Sequence, residues 1–341
     1  MNGSIRTKKV MTYQDLRLLQ FQPKSIHCYT PDHWSPPLFG AIIAPNVGIR
    51  AAVMLKRLFN KPNGDANPDS PPALVVQPAR GFTITYPSGR TLRAARVVAD
   101  APPEPVIDAL GLSVPRPVMF LMSGAGKMDG DSSKATRASI EDGLARVAES
   151  RLINVIDGGT TSGGMALIGL ARFRHGYRFP LIGVAPESVV AYPGYDNPAR
   201  QADIDAFHTH IALTAGDQFG DETDLMLGLA RALSGYGTQP ILGVIVNGGA
   251  IVKREVYRCA TGIPPDGARI PLLVLEGSGR YADELAAASK ARDVGRMGTA
   301  LLQDPVNRAI LEQGDIHFLP VSGGGEAVRA WLEHFYMEGK R

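Results

Sequence analysis

After Pro115 the chain alternates short apolar runs with stretches of helical periodicity. The runs fall at 117–122 (PVMFLM), 153–157 (INVID), 180–185 (PLIGVA), 210–215 (HIALTA), 240–246 (PILGVIV), 271–276 (PLLVLE) and 316–321 (IHFLPV). They lack the polar-apolar alternation of a half-exposed sheet, so each reads as a strand covered on both faces. Between them, Ile140, Leu144 and Val147, then Leu225, Leu229 and Leu233, recur at helical spacing. Strands alternating with helices predict right-handed crossovers and a doubly wound, mainly parallel, Rossmann-like α/β sheet.

Upstream of residue 100 this rhythm is lost. Positions 60–72 (NKPNGDANPDSPP) are polar and rich in Pro and Asn, predicting an exposed loop. Positions 81–98 place two β-rich runs around Pro87-Ser88-Gly89 and predict a hairpin. The expected organisation is an N-terminal α+β extension over 1–100, with its exposed loop at 60–73, and a Rossmann-like domain over 101–341.

Composition sharpens this picture at one point. The 341 residues include 38 glycines, where average usage would give roughly two dozen. Six windows at the predicted strand ends (123–126, 158–164, 216–220, 247–249, 276–280 and 322–325) hold 15 of them in 28 residues. A net charge of +3 is too mild to point to nucleic acid. Cys28 and Cys259 form no CxxC, which fits a reduced, cytoplasmic protein. No apolar run approaches the ~20 residues of a membrane span, and the first residues lack a signal peptide's apolar core. No membrane insertion is expected.

Ligands of open α/β sheets bind beyond the carboxyl ends of the strands. Glycines there let backbone approach a ligand, and helix N-termini attract anions; tight turns alone would also use glycine. The common nucleotide motifs are absent. Gly126-Lys127 lacks the first glycine and the Ser/Thr of a P-loop, and Gly277 to Ala282 fits GxGxxA without an acidic strand end ~20 positions on. His208 and His210 are spaced to share a strand face, but no third ligand is nearby, so a polar strand entrance is expected and no metal.

The sharper signal is Gly158-Gly159-Thr160-Thr161-Ser162-Gly163-Gly164-Met165, a GGxxxGxM that follows the second run and opens a helix. It resembles the matching motif of the SLOG superfamily, which includes the LOG-type nucleotide phosphoribohydrolases. Gly183 to Glu187, His208 to Ile211, Val246 to Gly249 and Leu275 to Gly279 follow in order. Together they resemble the prokaryotic SLOG branch related to the N-terminal region of melastatin-type TRP channels, over residues 115–325. The resemblance implies a nucleotide- or NAD-derived ligand, such as ADP-ribose or cyclic ADP-ribose, and no required cofactor. The LOG motif PGGxGTxxE would fall by strand order at Gly216 to Asp224, where its proline and paired glycines are missing. A closer textual match runs from Leu275 to Asp283. These departures weigh against LOG-type hydrolysis.

The candidate binding residues are Ser123, Gly124, Gly126, Gly158, Gly159, Thr160, Thr161, Ser162, Gly163, Gly216, Gly220, Asn247, Gly248, Gly249, Glu276, Gly277, Ser278, Gly279 and Arg280. Glu276, Glu222 and Glu187 are the candidate catalytic carboxylates, since ribosyl-bond cleavage needs one to steady an oxocarbenium-like state. For Glu222, Asp224, Asp283 and Glu284, service to a helix dipole is the simpler reading. Thr160, Thr161 and Ser162 suit a phosphate or an N-cap, and Arg280 a bidentate phosphate clamp. Three functions stand open: a homo-oligomeric nucleotide sensor, an N-glycosidic hydrolase, or a structural assembly component.

Overall fold

The computed structural model describes residues 77–124, 130–263, 267–296 and 298–338. The expected loop at 60–73, Cys28, Gly126 and Lys127 lie outside them.

All seven apolar runs form strands: β3 (Val118–Ser123), β4 (Asn154–Asp157), β5 (Leu181–Pro186), β8 (His210–Thr214), β9 (Ile241–Val246), β10 (Leu272–Glu276) and β11 (Ile316–Pro320). The hairpin is also present, as β1 (Ala79–Thr85) paired antiparallel with β2 (Thr91–Val97). Its turn closes through Gly89, whose φ of 80° is one that glycine adopts freely. Two short strands, β6 (Val190–Ala191) and β7 (Ala202–Asp203), form a separate pair.

The large sheet has nine strands in the order β1-β2-β8-β5-β4-β3-β9-β10-β11, parallel throughout except for β1 against β2. The hairpin is continuous with the sheet, because β2 runs parallel to β8 with Ala95 opposite Ala212. From β3 the chain winds outward through β4, β5 and β8, then returns to the other side of β3 for β9, β10 and β11. The strand order therefore reverses between β3 and β9, where this architecture opens a crevice.

Side chains alternate between two cores. Val118, Phe120, Met122, Leu272 and Val274 face helices α1 (Pro103–Leu110), α5 (Thr223–Leu233), α6 (Ala250–Thr261), α7 (Arg280–Asp293) and α9 (Pro305–Gln313). Met119, Leu121, Leu273 and Leu275 face α4 (Gly163–Arg174), α10 (Gly324–Glu338) and a long helix over 130–151. That long helix joins α2 (Gly130–Ala138) and α3 (Arg146–Arg151) through a π-helical segment, Ser139–Ala145. The short α8 (Ala300–Gln303) completes the set. Burial on both faces is what the run-like patterning requires, at roughly 1.5–3 kcal/mol for each fully buried aliphatic side chain. Among the described residues no helix is long and apolar enough to cross a membrane.

Strand ends approach closely where glycine allows it. An added Cβ at Gly183 in β5 would lie 2.5 Å from the Gly159 Cα. Gly183→Ala is therefore expected to force the β4–β5 edge apart and cost about 1–3 kcal/mol, read as a lower urea midpoint with an unchanged m-value.

Candidate ligand-binding site

A hollow of about 490 Å³ lies at the carboxyl edge of β3, β4 and β9. Five of the six glycine windows reach it, through Ser123 and Gly124, through Gly158, Thr160 and Ser162, and through Phe219, Gly249 and Arg280. The window at 322–325 does not. Its Gly325 serves packing, since an added Cβ would meet the Ala138 carbonyl oxygen at 2.5 Å.

Three helices begin around this hollow: α4 after Ser162, α6 after Gly249 and α7 after Gly279. None receives a side-chain hydrogen bond from its own N-cap residue, so first-turn N–H groups are left for other acceptors. Ser123 uses one, its Oγ accepting from the Gly164 N–H at 2.9 Å and tying α4 to the end of β3. Thr160 lines the hollow, with its hydroxyl 3.7 Å from the Met165 sulfur, whereas Thr161 is exposed and donates its N–H to Asp203.

Two non-glycine residues at this edge hold left-handed backbone, Asn247 at φ 61° and Arg280 at φ 48°. Such conformations cost energy and persist only where the surroundings enforce them. Asn247 is fixed on both sides: its N–H donates to the Ser278 Oγ at 2.8 Å, and its carbonyl accepts from Ala282. The Ser278 hydroxyl in turn donates to the Leu275 carbonyl, so this serine joins β9 to β10 and does not line the hollow. The Arg280 guanidinium is carried back over Gly249, whose added Cβ would sit 3.0 Å from the Arg280 Nη2.

The structure separates the sequence-selected carboxylates. Glu276 pairs with Lys290, and Glu187 accepts from Arg96 at 2.8 Å and from the Tyr192 hydroxyl; neither lines the hollow. Asp224 pairs with Arg258, Glu284 accepts from Lys253, and Asp283 accepts from the Gly277 N–H at 2.6 Å. Glu222 is the one that enters, buried to 5% exposure and accepting from the Gly220 N–H at 2.6 Å. Burial raises its pKa, while the Gly220 N–H opposes the shift. Gly163, Gly216, Gly220, Gly248, Gly277 and Gly279 shape the neighbouring turns without lining the hollow.

Sequence reasoning missed Glu255, also 5% exposed and lining the same space. Burial first, and the nearby Glu222 charge second, push its carboxyl up to about 8. A signal was available: Val252, Glu255, Val256 and Cys259 recur at helical spacing, which puts the acid on an otherwise apolar face. Phe219, Met226 and Ile251 supply apolar wall that no motif marked.

His208 lies at the entrance of β8, whose first residue is His210. It precedes β8 and is buried between Asp157, 2.8 Å from its Nε2, and Asp205, 2.8 Å from its Nδ1. Asp157 also accepts from the Gly159 N–H at 2.7 Å, and the Gly159 carbonyl accepts from the Asp205 N–H. The imidazolium thus clamps the glycine turn that walls the hollow. Burial opposes its charge, but the two aspartates outweigh that cost and raise its pKa to about 9. Burial instead lowers His210 to about 4.

The His208 shift has a sign. A folded pKa near 9 against an unfolded value of 6.5 means the stabilisation is complete below 6.5 and lost as pH rises through 9. Urea denaturation should show stability falling by about 2–3 kcal/mol between pH 6.5 and 9.5. His208→Gln should cost about 3–5 kcal/mol at pH 7 by leaving two aspartates buried beside a neutral group.

Residues 116–329 match the family model described as SLOG in TRPM, prokaryote. The chain is 28% identical over 192 residues to the transient receptor potential cation channel subfamily M member 1 of Mus musculus, covering 48% of this chain and 12% of that protein. It is 24% identical over 202 residues to the transient receptor potential cation channel trpm of Drosophila melanogaster, covering 51% of this chain and 10% of that protein. The chain thus spans about a tenth of the length of these curated relatives.

Proposed function

The chain belongs to the prokaryotic family of SLOG domains found in TRPM proteins, and on that premise we propose that its switch-point cavity binds a nucleotide- or NAD-derived ligand of the ADP-ribose class. The observation that carries this reading is the convergence of three helix starts without side-chain caps and Arg280 on one hollow of about 490 Å³. That volume falls within the ~300–1,000 Å³ of small-molecule sites. Phosphate oxygens are the chemical match for such N–H groups and a guanidinium. The apolar wall of Phe219, Met226 and Ile251 suits a base. The relatives are named as cation channels, and the shared region is a small part of each; ligand binding, not conduction, is the activity proposed here.

A second reading, cleavage of the N-glycosidic bond, is favoured by Glu222, a buried carboxyl within the cavity. In that reaction the carboxylate would steady positive charge at the anomeric carbon, or take a proton from the attacking water. Glu276 and Glu187 are engaged by Lys290 and Arg96 outside the cavity.

Calorimetry with ADP-ribose, cyclic ADP-ribose, NAD and AMP, followed by chromatography for released base, tests both readings. Binding is expected for at least one of these, weakened about tenfold or more by Arg280→Ala, the usual loss for a charged hydrogen bond. Glu276→Gln should leave affinity unchanged. Release of base that Glu222→Gln abolishes would establish the hydrolase. Absence of binding heat and of any melting shift with all four would contradict the proposal.

A further inference from the structure

Two carboxyls occupy one floor of the cavity. Glu222 precedes α5 and Glu255 sits on α6, so adjacent helices bring them to the same space, each with 5% exposure. The surrounding charges do not balance two carboxylates. Arg254 acts on both, but its Nη2 is already committed to the Gly220 carbonyl at 2.8 Å, and Asp221 lies beside it. On α6, Arg258 pairs with Asp224 and Lys253 with Glu284 and Asp304, while Cys259 is a buried thiol. Arg280 lines the cavity from the start of α7. With one carboxylate charged, Arg254 offsets it and Arg280 is left for an anion. With both charged, an incoming anion meets a second buried negative charge.

The two acids are not equivalent. Glu222 accepts a backbone N–H, which suits a carboxylate. Glu255 lies on an apolar helix face, among Val252, Val256 and Cys259, where a neutral carboxyl is the less costly form. We propose that Glu255 is a ligand-contacting residue that enters as a neutral carboxyl, donating a hydrogen bond to an acceptor atom of the bound anion and making occupancy of the cavity proton-linked. This inference rests on the cavity being the binding site. It adds that the site responds to pH around neutrality, consistent with burial and Glu222 holding the Glu255 pKa near 8. The folded pKa exceeds the unfolded value of 4.5, so Glu255 favours the fold most at acid pH, and that contribution is lost as pH rises through 8.

Two measurements on the full chain test the idea. In the first, without ligand, urea stability is followed from pH 5 to 8.5 for the wild type and Glu255→Gln. The wild type should lose stability with rising pH more steeply than the variant, because glutamine cannot ionise; His208 contributes equally to both and cancels. In the second, ADP-ribose, whose pyrophosphate does not titrate in this range, is titrated calorimetrically at pH 7, 8 and 9. Wild-type affinity should fall about tenfold from pH 7 to 9, as one group with a pKa near 8 requires. Glu255→Gln should give a flat profile, and Glu222→Gln should move the fall to lower pH, because without the Glu222 charge Glu255 ionises more readily; a fall that stays in place or moves to higher pH contradicts the pairing. Equal stability slopes in wild type and Glu255→Gln, or pH-independent binding by the wild type, would overturn the inference while leaving the binding site intact. Failure of ADP-ribose, cyclic ADP-ribose, NAD and AMP all to bind at pH 7 would overturn the site itself and this inference with it.

Discussion

Backbone meets backbone at the carboxyl edge of this sheet more closely than side chains would permit. An added Cβ at Gly124 would lie 2.9 Å from the Gly248 Cα, and one at Gly159 would lie 2.8 Å from the Gly183 Cα. These contacts seat the ends of β3 against β9 and of β4 against β5. Helices α4 and α6 then start beside one another, with their N–H groups directed to a common space. A bulkier residue at either contact would push the helix starts apart. The cavity is thus a consequence of strand order combined with glycine at the reversal point.

A second constraint holds the edge in place. His208 lies between Asp157 and Asp205, and the same Asp157 fixes the Gly159 N–H. A buried charged group is costly unless paired, and here the pairing links β4 to the segment before β8. Ser278 and Asn247 do the corresponding work between β9 and β10 with neutral hydrogen bonds. One wall of the cavity is therefore held by charge and the other by neutral polar contacts, with Arg280 and the two buried glutamates facing the space between.

The strands were legible because a sheet buried on both faces writes unbroken apolar runs, and all seven runs became strands. The hairpin was legible from its turn. The site was legible only in part. Glycine windows mark strand ends, but whether a window meets a ligand or a helix depends on strand order, as the contrast of Gly249 with Gly325 shows. Carboxylates at strand ends looked equivalent in sequence; their partners sort them, Lys290 holding Glu276 and Arg96 holding Glu187 while Glu222 turns inward. Glu255 escaped notice because it lies inside a helix, away from any loop motif, where only its place on an apolar face distinguished it.

The central claim is that the β3–β9 reversal point is where a phosphate-bearing ligand sits. A crystal structure of the chain with ADP-ribose tests it most directly. The account predicts ligand density between Gly124, Ser162, Gly249 and Arg280, with phosphate oxygens on the N–H groups of α4 or α6. Density elsewhere, for instance beside Glu276 and Lys290 at the outer edge, with the reversal point closed by its own side chains, would contradict it.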